Sequence, residues 1–332
     1  MYLAPLNYDR FFKKVFSHTN IAKAFLEDFL GVEITEITLL DRKHLLTNHA
    51  AEMEVDFRCK INNAYIIIEM QQWYKPDVVR RFYLYHCAST VLQLESLPEK
   101  KLPIPIADKR AKDKDYRLVE PVLTLVWMVD DSLKFKENFV AYTTAPETTL
   151  EFVNDSVLWS KRDIDELLKK RETVLETLGN RHKDLAFLQE NRLIFMFQHN
   201  IINDEKLSPY QKWFEFAEKT RNKNNKAADF ARFKNQDIFS RMMRIILKKS
   251  LDIDDLEYIE TEDENIVLVN RTLDGVREDA LKEGKQIGIE EGEQIGIEKG
   301  VIRLHKKGKS EEEIAEIFDI TVEKVREIIA AK

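Results

Sequence analysis

Glu54-Val55-Asp56-Phe57-Arg58-Cys59-Lys60-Ile61-Asn62-Asn63-Ala64-Tyr65-Ile66-Ile67-Ile68-Glu69-Met70-Gln71 is the stretch on which the reading of this chain turns. Residues 51–61 and 64–71 are β-prone runs, and the Asn62-Asn63 pair between them tolerates the left-handed backbone of a hairpin turn. Asp56 and Glu69 each stand six residues from that turn, so a hairpin sets them opposite one another. Carboxylates on neighbouring strands make a site for a hard divalent cation. Glu69 follows Ile66, Ile67 and Ile68, at the point where a buried strand emerges. An acid there is costly unless a metal or partner neutralises it. Asp56 alone would read as a surface or turn residue; its pairing with Glu69-Met70-Gln71 sets it apart.

Outward from the hairpin, residues 9–30 predict a helix with Phe12, Val15, Phe16, Ala22, Phe25, Leu26 and Phe29 at helical spacing, ended by Gly31. A strand is expected at 33–40, followed by a polar link through Thr47, Asn48 and His49. After Pro76 a long helix is predicted over 78–97, with Tyr and Leu on its buried face. A Lys-, Asp- and Pro-rich loop, 98–117, leads to a strong strand at 121–129, with another at 138–143. That order is expected of an α/β layer with one central sheet. From Ile164 the pattern turns helical, with helices predicted over 164–177, 183–202, 211–219 and 227–250. The organisation expected is a core at 1–145, a helical region at 146–275 and a tail at 276–332.

Between Lys219 and Lys249 ten Lys or Arg stand against two Asp, the most basic stretch of the chain. It reads either as a solvated helix face or as a surface for a nucleic-acid backbone. In the tail Gly284, Gly288, Gly292, Gly296 and Gly300 recur every four residues, which lines them along one side of a helix. Such a helix suits self-association or a partly helical linker, since each glycine weakens it by roughly 1 kcal/mol relative to alanine. Ser310 with Glu313 forms a capping box, and Thr321 with Lys324 starts a second short helix. The spacing resembles half of a helix-turn-helix, but Glu311, Glu312, Glu313, Glu316 and Asp319 would repel phosphate, favouring a docking or oligomerisation unit.

Composition sets the outer bounds. The 332 residues are 44 % hydrophobic and 33 % charged, as in a soluble globular protein, and no apolar run is long enough to span a membrane. Cys59 and Cys87 are too few for a disulfide framework or a four-cysteine zinc site, and they read as buried thiols in a reducing cytoplasm. The first residues have no apolar secretory core. A net charge of −7 excludes a globally basic nucleic-acid binder, while a local basic path remains compatible with one. There is no Walker loop, no dinucleotide glycine pattern and no His-Glu-x-x-His. His86 reads as a packed or exposed helix residue.

Taken in order, these motifs resemble the recombination-promoting, transposase-like nucleases of the PD-(D/E)xK superfamily. The resemblance rests on Asp9-Arg10-Phe11-Phe12-Lys13, on Asp56, on Ile68-Glu69-Met70-Gln71, on Arg81 with Tyr85 and Gln93-Leu94, on the Pro121-Val122 strand, and on the Gly/Glu-rich tail. It covers nearly the whole chain. It implies a restriction-endonuclease-like core, a mixed four- to five-stranded sheet flanked by helices, and a DNA endonuclease that hydrolyses phosphodiester bonds; RNA is not separated from DNA by sequence. Carried over, Asp56, Glu69 and Gln71 are catalytic. Asp56, Glu69 and the Met70 carbonyl hold Mg²⁺ or Mn²⁺; Asp9 either joins them or caps its helix. Lys13, Arg80, Arg81, Tyr85 and Gln93 face DNA, with Tyr85 and Gln93 equally readable as packing and helix-surface residues. A homo-oligomer through the tail, no membrane partner and a cytoplasmic location complete the expectation. Two departures stand out: Gln71 replaces the usual superfamily lysine, and Met53-Glu54-Val55 stands where the family often has a lysine before the hairpin aspartate. A weakly active or inactive binding descendant of the fold is the alternative.

Overall fold

Asn62 takes a left-handed backbone, φ +40°, and turns the chain between the antiparallel strands Phe57–Ile61 and Ala64–Gln71. Phe57 pairs with Ile68, Cys59 with Ile66 and Ile61 with Ala64. One step beyond Phe57–Ile68, Asp56 comes opposite Glu69, the register that counting from the turn predicts. The computed structural model describes residues 1–45, 52–73, 77–99, 114–130, 133–160, 163–179 and 183–330. These fall into two units, Met1–Leu256 and Glu257–Lys332.

The first unit begins with α1 (Asp9–Phe16) and α2 (Thr19–Leu30), then β1 (Ile37–Leu39), β2 (Lys43–Leu45), β3 (Glu52–Glu54), β4 (Phe57–Ile61) and β5 (Ala64–Gln71). After α3 (Val78–Leu92) come β6 (Val122–Met128), β7 (Phe139–Tyr142), α4 (Glu147–Asn154), α5 (Ser156–Ser160), α6 (Ile164–Leu178), α7 (Lys183–Glu190) and β8 (Arg192–Phe197). α8 (Gln198–Asn203), α9 (Gln211–Arg221) and α10 (Asp237–Ile245) follow. The protein is mixed α/β: six strands in the order β1-β4-β5-β6-β8-β7, with β5–β6 and β6–β8 parallel and the other pairs antiparallel. β2 and β3 form a separate ribbon.

Each face of the sheet is buried by helices because β5, β6 and β8 are apolar on both sides. On one face Val78 and Phe82 of α3 pack on Val126, Met128 and Phe195. On the other, Trp127 is enclosed by Phe12, Phe25 and Phe214 at ring-centroid separations of 6.0, 5.7 and 4.1 Å, and its indole N–H donates to Gln198 Oε1 at 2.7 Å.

Several expectations are corrected. The helix predicted over 9–30 breaks at Ser17-His18, which lets Phe16 meet Phe25 edge-on at 5.5 Å. The run 51–61 is not one strand: β3 pairs with β2, and Val55 N–H turns aside to Arg42 O at 3.0 Å. The helix predicted over 183–202 contains β8, a fully paired inner strand between β6 and β7. The helix predicted over 227–250 is a 3₁₀ segment, Ala227–Phe233, followed by α10. The helix after Pro76 ends at Leu92, with a 3₁₀ turn at Gln93–Glu95. Because β8 lies in the sheet, the boundary expected at 145 falls inside the first unit, and residues 146–275 are not a separate helical region. The link at Thr47, Asn48 and His49, Pro76, and residues 100–113 of the 98–117 loop lie outside the described residues. Both cysteines are free, Cys59 buried and Cys87 half-buried.

α11 (Ile253–His305) carries the chain into the second unit, where α12 (Glu311–Phe318) and α13 (Val322–Ala330) follow. Its core gathers Val301, Ile314, Ala315, Val325 and Ile328. The capping box forms as expected: Ser310 and Glu313 exchange hydrogen bonds at 3.0 and 3.2 Å. Thr321 Oγ1 likewise accepts from Lys324 N–H at 3.2 Å. Among the described residues no helix is long and apolar enough to cross a membrane.

Candidate active site

The chain bends at Val55, so Asp56 sits where the β4–β5 ladder ends, and Glu69 faces it from β5. Asp56 N–H donates to Glu69 Oε1 at 3.1 Å, and Met70 N–H donates to Asp56 Oδ2 at 2.8 Å. Both acids are buried, 9 % and 5 % exposed. Burial pushes the Asp56 carboxyl up to about 7, with the Asp9 carboxyl adding to it and Met70 N–H and Lys13 opposing. Burial, and then the charge of Asp56, raise Glu69 well above the usual carboxylate range, against Asp56 N–H, Arg81 and Lys13. Both carboxyls therefore hold their protons to higher pH than free acids do, because the surroundings do not offset the burial of two charges.

Lys13 reaches this pair from α1. Its Nζ lies 3.0 Å from Asp9 Oδ2, 3.3 Å from Glu54 Oε1 and 3.4 Å from Asp56 Oδ1. Burial disfavours the ammonium, but Asp56, Asp9 and Glu54 outweigh it and hold its pKa above the usual lysine range. Asp9 does not cap α1: Tyr8 is the N-cap residue and makes no side-chain cap bond. The carboxyl of Asp9 instead faces Lys13 and Asp56, which places it with the site. A neighbouring side of α1 is fixed by the fully buried Asp255, which binds Arg10 Nε at 2.6 Å and Lys14 Nζ at 2.5 Å.

In β5 the N–H of Tyr65 donates to Pro121 and the C=O of Gln71 accepts from Val129, so these alternate residues bond β6 and the Met70 backbone faces the β4 side. Its carbonyl thus shares a side of the strand with Asp56. Gln71 is buried; its amide donates to Trp73 O, and its Oε1 accepts from Arg81 Nη2 at 2.5 Å. One lone pair and one N–H of that amide remain. The Nε of Arg81 is enclosed and has no hydrogen-bond partner among the described residues. Tyr85, half-buried, has its phenol pKa raised by burial and then by Glu69, so it too adjoins the acids. A cavity of about 190 Å³ opens beside Asp56, lined in part by Lys13, Asp41, Arg42 and Arg58.

Two expected residues stand apart. Gln93 is buried with its amide bonded to the backbone C=O and N–H of Glu120, each at 2.9 Å, toward the far end of β5. It locks an element junction, away from the acids. Arg80 is exposed on α3. His86 packs against Thr124 Oγ1 at 3.0 Å, and burial lowers its pKa, as befits a helix residue against the sheet. Sequence reasoning missed Glu54 as a site residue: Lys43 Nζ at 3.1 Å holds its carboxyl below the usual range, with Lys13 assisting. Asp255 was also missed, and no local motif marks it.

Among the described residues no group of three or more His, Cys, Asp or Glu side chains is placed to hold a metal ion. The donors on this side of β5, two carboxylates and a backbone carbonyl, are all oxygen, the donor type that suits Mg²⁺ or Mn²⁺ completed by water. Comparison of the chain with protein-family models, with curated proteins and with solved structures finds no match.

Proposed function

We propose that this chain is a divalent-metal-dependent phosphodiesterase, an endonuclease on DNA, built on a PD-(D/E)xK core. The observation that carries the reading is the buried, mutually repelling pair Asp56 and Glu69 at a sheet end, ringed by Lys13, Arg81 and Gln71. Asp56, Glu69 and the Met70 carbonyl would hold Mg²⁺ or Mn²⁺, with Asp9 adjoining. When bound, such an ion polarises a phosphoryl oxygen and lowers the pKa of its water.

The chain's own residues do the rest. Lys13 supplies the positive charge that Gln71 lacks. Gln71, anchored between Trp73 and Arg81, keeps a lone pair and an N–H with which to orient a water. Arg80 and the basic stretch at 219–249 offer backbone contacts for nucleic acid, although Arg221, Arg232 and Arg241 already pair with Glu218, Glu215 and Asp237. A binding descendant without catalysis is the second reading, favoured by the ammonium of Lys13 already seated among the acids.

Cleavage of supercoiled plasmid by the full chain, with Mg²⁺ or Mn²⁺ against EDTA and beside Asp56→Asn, separates the two. Nicking that needs the ion and vanishes in the variant supports the nuclease. Metal-independent binding without nicking supports the descendant.

A further inference from the structure

We propose that Lys13 is a resident counter-ion that a divalent cation displaces from Asp56, an inference that rests on the metal-dependent reading above. The ammonium, 3.4 Å from Asp56 Oδ1, stands on an oxygen that an entering ion would require. Among the described residues it is the cation paired with the Asp56 carboxyl, where burial makes an uncompensated carboxylate costly. Lys13 therefore does in the ion's absence what the ion does on arrival.

The surroundings give the ammonium somewhere to go. Asp9 and Glu54 both hold it, at 3.0 and 3.3 Å, and their side chains are 51 % and 38 % exposed. Losing Asp56 leaves Lys13 on two partners at the mouth of the site, beside the cavity that opens on Asp56. Its backbone stays in place, because Asp255 clamps Arg10 and Lys14 on the neighbouring side of α1. Only the flexible four-carbon stem has to move, which is the property that distinguishes lysine from the planar fork of arginine. The relocated charge then faces an anionic oxygen of the substrate. One side chain guards the acids while the ion is absent and meets phosphate once it is present.

The test is calorimetric titration of Mn²⁺ into the full chain, as wild type, Lys13→Met and Lys13→Gln, with each variant's melting curve recorded. Removing a competing cation should tighten Mn²⁺ binding by on the order of tenfold in both variants while plasmid nicking falls. Affinity that is unchanged or weaker in folded variants overturns the exchange and leaves the metal reading standing. Absence of Mn²⁺ uptake in wild type and both variants overturns the metal reading and this inference with it. Lys13→Arg, which keeps the charge and the fold of α1, should not tighten binding; tightening there would also overturn the exchange.

Discussion

The backbone N–H of Asp56 donates to Glu69 Oε1 at 3.1 Å, so the carboxylate that repels Asp56 also fixes the backbone that carries it. Removing charge and removing the acceptor are therefore different perturbations. Without divalent ions, Asp56→Asn and Glu69→Gln should melt above wild type, because the acceptor remains and the repulsion goes. Asp56→Ala and Glu69→Ala each orphan a buried N–H, a loss of about 1–3 kcal/mol that offsets the relief. Relief of repulsion alone would leave the alanines as stable as wild type or more so; these hydrogen bonds place them below the amides. Thermal melts in EDTA decide it, and amide variants melting below wild type would refute the strain.

Stability should fall with rising pH through the titration of this pair. Asp56 is raised to about 7 and Glu69 well above its usual range, so the folded chain keeps protons that the unfolded chain has released. The contribution is absent below the ordinary carboxylate range, grows unfavourable as pH rises, and for Asp56 is complete above about pH 7. The difference in denaturation free energy between Asp56→Asn and wild type, measured without metal from about pH 4 to about pH 8, should widen with pH. A flat difference would show that burial does not hold the proton.

Asp255→Ala should destabilise the first unit by about 2 kcal/mol, since two charge-assisted bonds to Arg10 and Lys14 vanish, although both cations are partly exposed and can rehydrate. A chemical-denaturation series reads the loss. Metal binding should weaken or strengthen with it only if α1 shifts, which makes Asp255→Asn, retaining one acceptor, the milder control.

The tail glycines should divide by position. A Cβ on Gly300 would come within 2.3 Å of the Phe318 ring, whereas nothing lies within 4 Å of one on Gly292 or Gly296. Gly300→Ala should therefore loosen the small helical core, while Gly292→Ala and Gly296→Ala should each strengthen α11 by roughly 1 kcal/mol. Circular dichroism melts distinguish them. A fall in oligomer mass on light scattering in the last two variants would show that a second helix uses that side of α11.

What was legible in the sequence was local. The Asn62 turn and the alternation around it carry the Asp56–Glu69 register, and Ser310 with Glu313 carries a cap, because both depend on residues close in the chain. β8 was not legible: Leu193-Ile194-Phe195-Met196-Phe197 is an unbroken apolar run between helices, without a period to separate strand from helix. Lys13 was readable as a basic residue near phosphate, but not as the partner of Glu54, since α1 and β3 are far apart in the chain and meet only in the fold. Gln93, readable equally as a DNA contact or a packing residue, stayed undecided for the converse reason. A polar residue on a helix looks surface-bound until the backbone it satisfies, at Glu120, is brought alongside.

β8 between β6 and β7 also sets a timetable for a chain that emerges from its N-terminus. β7 is made before the strand it pairs with, so residues 139–142 have no neighbour in the sheet until 192–197 are out. The first residues wait longer: the N–H groups of Tyr2 and Leu3 both donate to Asn225 Oδ1, at 2.7 and 2.8 Å, and Ala4 N–H donates to Ile246 O. Loop closure over such separations is slow. A nascent chain cut at residue 145 holds Asp56 and Glu69 on their hairpin but lacks β8 and the partners of the first residues, so the enclosure of the pair waits on residues made later.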